Sequence, residues 1–312
     1  SGRSVSLSSD GTIVAIGAPY YDGVDGNSTS IGQVRVFEYS NSSWSQLGSD
    51  IDGEAAGDEC GYSVSLSSDG TIVAIGARYN SGGGYRSGQV RVYQYDASAS
   101  SWDKLGSDID GAAASDLTGY SVSLSSDGTI VAIGAPYNDG VNGNSSNTGH
   151  VRVFQYDASA TSWDQLGSDI DGEASDDHSA KVSLSSDGTI VAIGARYANG
   201  GDSGQVRVFQ YDASATSWDQ LGSDIDGEAA SDFFGCSVSL SSDGTILAVG
   251  ANGNNGSGSN SGHVRVYEYD ASASLWSQLG GNIDGEAAGD NSGRSISLSS
   301  DGTILAVGAY YN

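Results

Sequence analysis

The sequence predicts an all-β protein, a β-propeller made of four-stranded repeats about 58 residues long. Three observations lead there. The phrase [VI]-S-L-S-S-D-G-T-I begins at Val5, Val64, Val122, Val182, Val238 and Ile296, at spacings of 59, 58, 60, 56 and 58 residues. Two further phrases keep the same phase: V-R-V-[FY]-[EQ]-Y from Val34, Val90, Val151, Val206 and Val264, and a tryptophan followed by x-x-Leu-Gly at Trp44, Trp102, Trp163, Trp218 and Trp276. No segment sustains a helical period. The units are 1–59, 60–117, 118–177, 178–233 and 234–291, with a partial sixth at 292–312, read as one β-propeller domain over 1–312. Five units and a half suggest a piece of a longer array or a six- to seven-bladed ring lacking some strands.

Within a unit, the first strand is Val-Ser-Leu-Ser, alternating apolar and polar. Ser-Ser-Asp-Gly follows, with the residues a tight hairpin needs. The second strand, Thr-Ile-[Val/Leu]-Ala-[Ile/Val]-Gly-Ala, is continuously apolar and so expected to be buried on both faces. The third is Val-Arg-Val-Phe-Glu-Tyr, and the fourth runs from Trp44 to about Leu47 in the first unit.

Composition narrows the function. Twelve Lys and Arg against 39 Asp and Glu give a net charge of −27, which disfavours nucleic acid and acidic membrane surfaces. The apolar runs are short pieces such as Ile13-Val14-Ala15-Ile16, against roughly 20 residues for a membrane helix, so no membrane insertion is expected. The chain lacks methionine even at position 1 and opens on no charged-then-apolar leader, as a mature or excised segment would. Cys60 and Cys236 are expected to be unpaired.

The units resemble the FG-GAP repeat. The resemblance rests on Gly61-Tyr62-Ser63-Val64, then Ile75-Gly76-Ala77, then Gly88-Gln89-Val90-Arg91-Val92-Tyr93, and on the literal Gly17-Ala18-Pro19 and Gly134-Ala135-Pro136. Ile51-Asp52-Gly53-Glu54 is similar to that family's inter-blade connection. It extends over the whole chain, and it implies the propeller found in integrin α-subunits and in secreted algal and bacterial surface proteins. Family members often hold calcium on a D-x-D-x-D-G loop between the first two strands. Here that hairpin offers one carboxylate, such as Asp10 or Asp69, so the usual metal site is absent from its usual place. The same turn resembles the structural Asp-box of sialidase-type propellers.

The densest acidic cluster is Asp50, Asp52, Glu54 and Asp58, with copies at Asp108, Asp110 and Asp116, at Asp169, Asp171, Glu173 and Asp177, and at Asp224, Asp226, Glu228 and Asp232. The fifth copy is Asn282, Asp284, Glu286 and Asp290. Alternate oxygens around a glycine suit Ca2+; the other reading is that these side chains cap turns. Ala112 replaces the glutamate of the second copy, which would weaken it if the glutamate is a ligand.

The loop after Gly-Ala varies between units, as binding loops on a rigid scaffold do. Tyr20, Tyr79, Tyr137 and Tyr197 recur there, beside Asp22, Asp25 and Asp139 in the long copies, and could stack on sugars or, the slightly favoured reading, pack between blades. Arg3, Tyr62, Tyr120, Ala180, Cys236 and Arg294 would ring a channel mouth if the first strand lines the axis. Arg35, Arg91, Arg152, Arg207 and Arg265 sit mid-strand and are expected to pair with the Asp-rich loops between blades. The tryptophans are read as blade packing ahead of a lectin platform. N-x-[ST] sequons place candidate glycosylation at Asn27, Asn41, Asn144 and Asn255.

Acid–base catalysis needs a singular constellation, and near-identical units offer none. His150 and His263 stand where other units have Gln33, Gln89 and Gln205, as polar substitutes on a strand; His178, amid Asp176, Asp177 and Ser179, is the one singular histidine. The expectation is a non-enzymatic extracellular or cell-surface module for adhesion, interaction or structure, meeting proteins or glycans at the surface or in the matrix, with self-assembly through an open blade edge. The alternative is a calcium-dependent glycan-binding propeller, and behind it a polysaccharide-active enzyme.

Overall fold

The computed structural model describes residues 2–23, 29–140 and 146–312. In the first repeat, β1 (Ser4–Leu7), β2 (Ile13–Ala18), β3 (Gln33–Ser40) and β4 (Ser43–Gln46) form an antiparallel sheet in that order, and a two-residue β5 (Ile51–Asp52) also pairs with β3. The next four repeats copy this arrangement, and the last two strands, Ser292–Leu298 and Leu305–Ala309, pair alone. Among the described residues no helix is long and apolar enough to cross a membrane.

The fifth short strand refines the four-stranded expectation. β4 pairs with Phe37–Ser40 and β5 with Gln33 and Val34, so both lie on one edge of β3. Ile51-Asp52, expected to be pure connection, therefore continues the outer strand after a break at Gly48. That break has two causes. Gly48 adopts φ +73, and a Cβ there would lie 2.8 Å from Cδ1 of Trp102 in the following repeat. Gly106 and Gly222 have the same relation to Trp163 and Trp276, at 3.0 and 2.8 Å.

The chain comprises two compact units, Ser1–Asn138 with Arg152–Leu166 and Asp139–Val151 with Gly167–Asn312. In the first, the apolar core lies between consecutive sheets: Val34 and Val36 of one repeat pack with Val64, Val73, Ile75 and Trp102 of the next. The same layer recurs from Val90 and Val92 to Val131, Ile133 and Trp163. In the second unit, Val206 and Val208 pack with Leu247, Val249 and Trp276. The second strands Ile72–Ala77, Ile130–Ala135 and Ile190–Ala195 are buried along their whole length, as their unbroken apolar runs require.

Polar bonds stitch each sheet to its neighbour. The indole N–H groups of Trp102 and Trp163 donate to the carbonyls of Leu47 and Leu105, and that of Trp276 to Leu221, each at 2.8 Å. Ser4, Ser63 and Ser237 donate to Gly61, Gly119 and Gly293 one repeat on. Three of the five mid-strand arginines pair as expected: Arg91 meets Glu54 at 3.5 Å, Arg207 meets Glu173 at 3.6 Å and Arg265 meets Glu228 at 3.4 Å. Each also donates to a backbone carbonyl of the preceding repeat, at Asp52, Asp171 and Asp226. Arg152, whose preceding loop has Ala112 where the others have glutamate, donates to the Asp110 carbonyl at 2.8 Å. The tryptophans are blade packing, at 7–9% exposure from Trp102 to Trp276. Trp44, in the first repeat, is 49% exposed.

The hairpins between the first two strands are held by aspartate. Oδ1 of Asp10 accepts from Ser8 Oγ at 2.7 Å, the Thr12 amide at 2.9 Å and Thr12 Oγ1 at 2.8 Å. Asp69, Asp127, Asp187, Asp243 and Asp301 repeat the pattern. This lone carboxylate, its Oδ1 taken up by three local donors, does not fit a calcium loop. The bonds favour the charged form. Ser299 and Thr303 hold Asp301 down at about 2. At Asp69, Asp127 and Asp187 burial opposes the shift, and the hydrogen bonds still lower the pKa.

Two predictions follow from this wiring. Trp163→Ala removes a buried indole and its bond, costing about 3–5 kcal/mol in chemical denaturation, whereas Trp44→Ala costs roughly 1 kcal/mol or less. The turn aspartates have folded pKa values below their unfolded ones, so their stabilisation is complete above about pH 4 and is lost as the pH falls toward about 2. Urea midpoints should hold between about pH 5 and 7 and drop steadily below about 4. Flat midpoints down to about pH 2 would contradict this account of the turns.

Candidate functional site

The two loop families singled out in the sequence are neighbours. In the first unit the amides of Tyr79 and Tyr137 donate to the Asp58 and Asp116 carbonyls, both at 3.3 Å. In the second, the equivalent amide of Gly253 donates to Asp232 at 3.1 Å. The variable loop of one repeat thus lies against the acidic loop of the repeat before it.

The acidic side chains of these loops are taken up by nearby donors. Asp50 and Asp52 both accept from Gln33 Nε2 at 3.0 Å, and Glu54 lies beside Arg91. Asp58 accepts from the Ala55 amide and from Asn80 Nδ2, both at 3.0 Å. Asp116, Asp177, Asp232 and Asp290 likewise cap the amides of Ala113, Ala174, Ala229 and Ala287. Asp224 and Asp226 accept from Gln220 and Asn199, both at 2.7 Å. Burial raises the pKa of Asp177. Among the described residues, ligand atoms of three His, Cys, Asp or Glu side chains converge within 4.8 Å at one place, His150 with Asp169 and Asp171. The available signal for it was histidine in the glutamine position beside an intact Asp-x-Asp.

The tyrosines differ in setting. Tyr20 is 59% and Tyr137 40% exposed. Tyr79 lies under the guanidinium groups of Arg78 and Arg86, at 4.4 and 4.6 Å from its ring centre. Tyr197 is half-buried, with Arg196 over its ring at 4.4 Å and His178 and Phe233 edge-on at 5.0 and 5.8 Å. Its loop carries the irregular turn Ala198–Asp202, where Asn199 has φ 66, so it is no true helix. Between that turn and Glu173–Asp177 lies a cleft of about 410 Å³, which Gln205 also lines. Asp22 and Asp139 accept from the Ser30 and Asn147 amides across their loops, at 2.7 and 3.0 Å.

The sequons Asn41 and Asn255 are exposed; Asn27 and Asn144, like Asp25, lie outside the described residues. In the first unit Arg3 donates to the Tyr62 hydroxyl at 2.8 Å, and Tyr62 packs on Tyr120 with ring centres 5.3 Å apart. His178 packs on Tyr197, and burial lowers its pKa.

Both cysteines are free and buried. Burial pushes the Cys60 thiol up to about 11, against the opposing pull of Arg91, and raises Cys236 as well. Neither can serve as a thiolate nucleophile near neutral pH. Thiol-reactive reagents should therefore leave both untouched in the native chain at about pH 8 and label both in denaturant; rapid native labelling would contradict the burial.

The FG-GAP repeat family matches residues 51–93 and 225–267. No curated protein is significantly similar in sequence. Solved structures with similar folds include the periplasmic gluconolactonase of Pseudomonas aeruginosa, at 16% identity and TM-score 0.64 over 97% of this chain and 77% of that one. A candidate 6-phosphogluconolactonase of Bacteroides uniformis is similar at 13% identity and TM-score 0.65, over 98% and 77%. The Cps50 β-propeller domain of Myceliophteria thermophila is similar at 11% identity and TM-score 0.58, over 99% and 80%. At such identities the likeness is one of fold alone. This chain matches the FG-GAP repeat at these two places and has the fold of a β-propeller.

Proposed function

We propose that the chain is a non-enzymatic interaction module of a cell-surface or extracellular matrix assembly, contacting proteins or glycans through its loop rim. One observation carries this reading. The recurring Asp, Glu, Arg, Ser and Trp side chains serve bonds within and between repeats, while the differences between repeats gather in loops that expose Tyr20 and Tyr137. Self-association belongs to the same reading, with Trp44 and Leu279 as large apolar side chains left exposed.

Calcium-dependent glycan binding is the second reading, favoured by the exposure of Tyr20 and Tyr137 on loops that neighbour the carboxylate-rich ones. A panel of polysaccharides and surface proteins distinguishes these possibilities, with melts run in calcium and in chelator. Saturable binding weakened about tenfold or more by Tyr20→Ala with Tyr137→Ala, at unchanged melting temperature, is the expected result. A calcium-dependent rise in melting temperature would favour the second reading. Turnover of an aldonolactone or a polysaccharide would replace both with an enzyme, since two of the fold neighbours are described as lactonases.

A further inference from the structure

Positions 33, 89, 150, 205 and 263 are equivalent: each starts the third strand of its repeat and pairs directly with the aspartate of the short outer strand. In the first repeat one amide nitrogen, Gln33 Nε2, donates to both Asp50 and Asp52 at 3.0 Å. An amide NH2 has two hydrogens and can bridge two carboxylates. In the third repeat the same two carboxylates, Asp169 and Asp171, remain, but the bridging residue is His150.

An imidazole cannot take over that role. One ring nitrogen offers at most one hydrogen, so a single nitrogen cannot satisfy both carboxylates. His150 is 1% exposed, and neither of its ring nitrogens has a hydrogen-bond partner. Nδ1 faces the acidic pair, yet lies 3.5 Å from Asp169 Oδ2, beyond the range of about 2.7–3.2 Å of a good N–H···O bond. That 3.5 Å separation fits a different bridge, and the ligand atoms of His150, Asp169 and Asp171 all lie within 4.8 Å of one another. Two ligand atoms on a tetrahedral zinc, with bonds of about 2.0–2.1 Å, sit about 3.3–3.5 Å apart.

We propose that His150 Nδ1 and one oxygen each of Asp169 and Asp171 form a site for a divalent transition-metal ion, zinc in the first instance. A dication balances the two carboxylates, and a nitrogen donor selects zinc-like ions over calcium, which prefers oxygen alone. His150 and Asp171 are set side by side by strand pairing, so two ligands are fixed by backbone geometry. Asp169, 30% exposed, closes the site from the solvent side and leaves a fourth position open to water or to a donor from a partner. The fifth repeat is a built-in comparison. His263 is equally buried, but Asn282 stands in place of the first aspartate and Nδ1 lies 3.9 Å from Asp284. It has one carboxylate where the third repeat has two, so it holds zinc far more weakly. The proposal stands apart from the interaction role above, and either can fail alone.

The test is zinc binding by the untagged chain, by titration calorimetry and by counting metal after dialysis. The expected result is one zinc lost on His150→Gln, which installs the residue native at 33, 89 and 205, and on Asp169→Asn, which reproduces Asn282, but kept in His263→Gln. Outer contacts to a metal ligand alone are worth about 10- to 100-fold, so losing a direct ligand should weaken zinc by at least about 100-fold. Cobalt(II) in place of zinc should give visible absorption that His150→Gln abolishes, and excess calcium should displace neither ion. Thermal melts show that the variants are folded, and if His150→Gln does not fold, Asp169→Asn decides. No zinc retained by the native chain, or an equal affinity in the folded variants, overturns the site.

Discussion

The contact on which the rest of this protein depends is the indole of one repeat seated on the Leu-Gly step of the repeat before it. It joins three requirements in one place. A large apolar surface leaves water, its N–H finds a carbonyl, and the glycine beneath has no side chain to obstruct the ring. Because that glycine also breaks the outer strand, the chain is released into β5 and then into the acidic loop. Packing and loop placement therefore share a cause. Each repeat buries its sheet only against a neighbour, the energetic pattern of a quasi-one-dimensional array.

A chain with a charge of −27 must dispose of its carboxylates locally. It does so in three ways. The hairpin aspartates collect hydroxyl and amide donors within two residues. The connection aspartates cap an amide three residues earlier. Glutamates such as Glu54 meet an arginine from the next repeat, which is itself anchored to a carbonyl. These uses leave few acidic groups to converge, and the His150 cluster is set apart by a change in its central residue, not by extra acid. A buried polar position wired for a two-hydrogen donor tolerates histidine poorly unless something else bridges the two carboxylates.

The repeat, its strands and the hairpin aspartates were legible in the sequence, because they depend on residues within about ten positions of one another. The expected Arg–Glu pairing was legible too, since a mid-strand arginine has to find an acid. Less was visible in the loops. Ile51-Asp52 read as a connection because two residues carry no period, and its strand character comes from pairing with Gln33 and Val34. The Asp-x-Asp-Gly-Glu loops read as a possible oxygen cage because spacing alone does not show where carboxylates point. Their partners, such as Asn80 for Asp58 and Arg91 for Glu54, lie 22 and 37 positions away in the following repeat.

By itself, then, the sequence determined the repeat length, the β architecture, the buried second strand and the self-contained turns, since local patterning and turn chemistry suffice for each. Tertiary structure decided which acids face arginine, amide or imidazole, and which tyrosines stay open. Those outcomes depend on how one repeat's loop lies against the next, a relation between distant residues that no local pattern encodes.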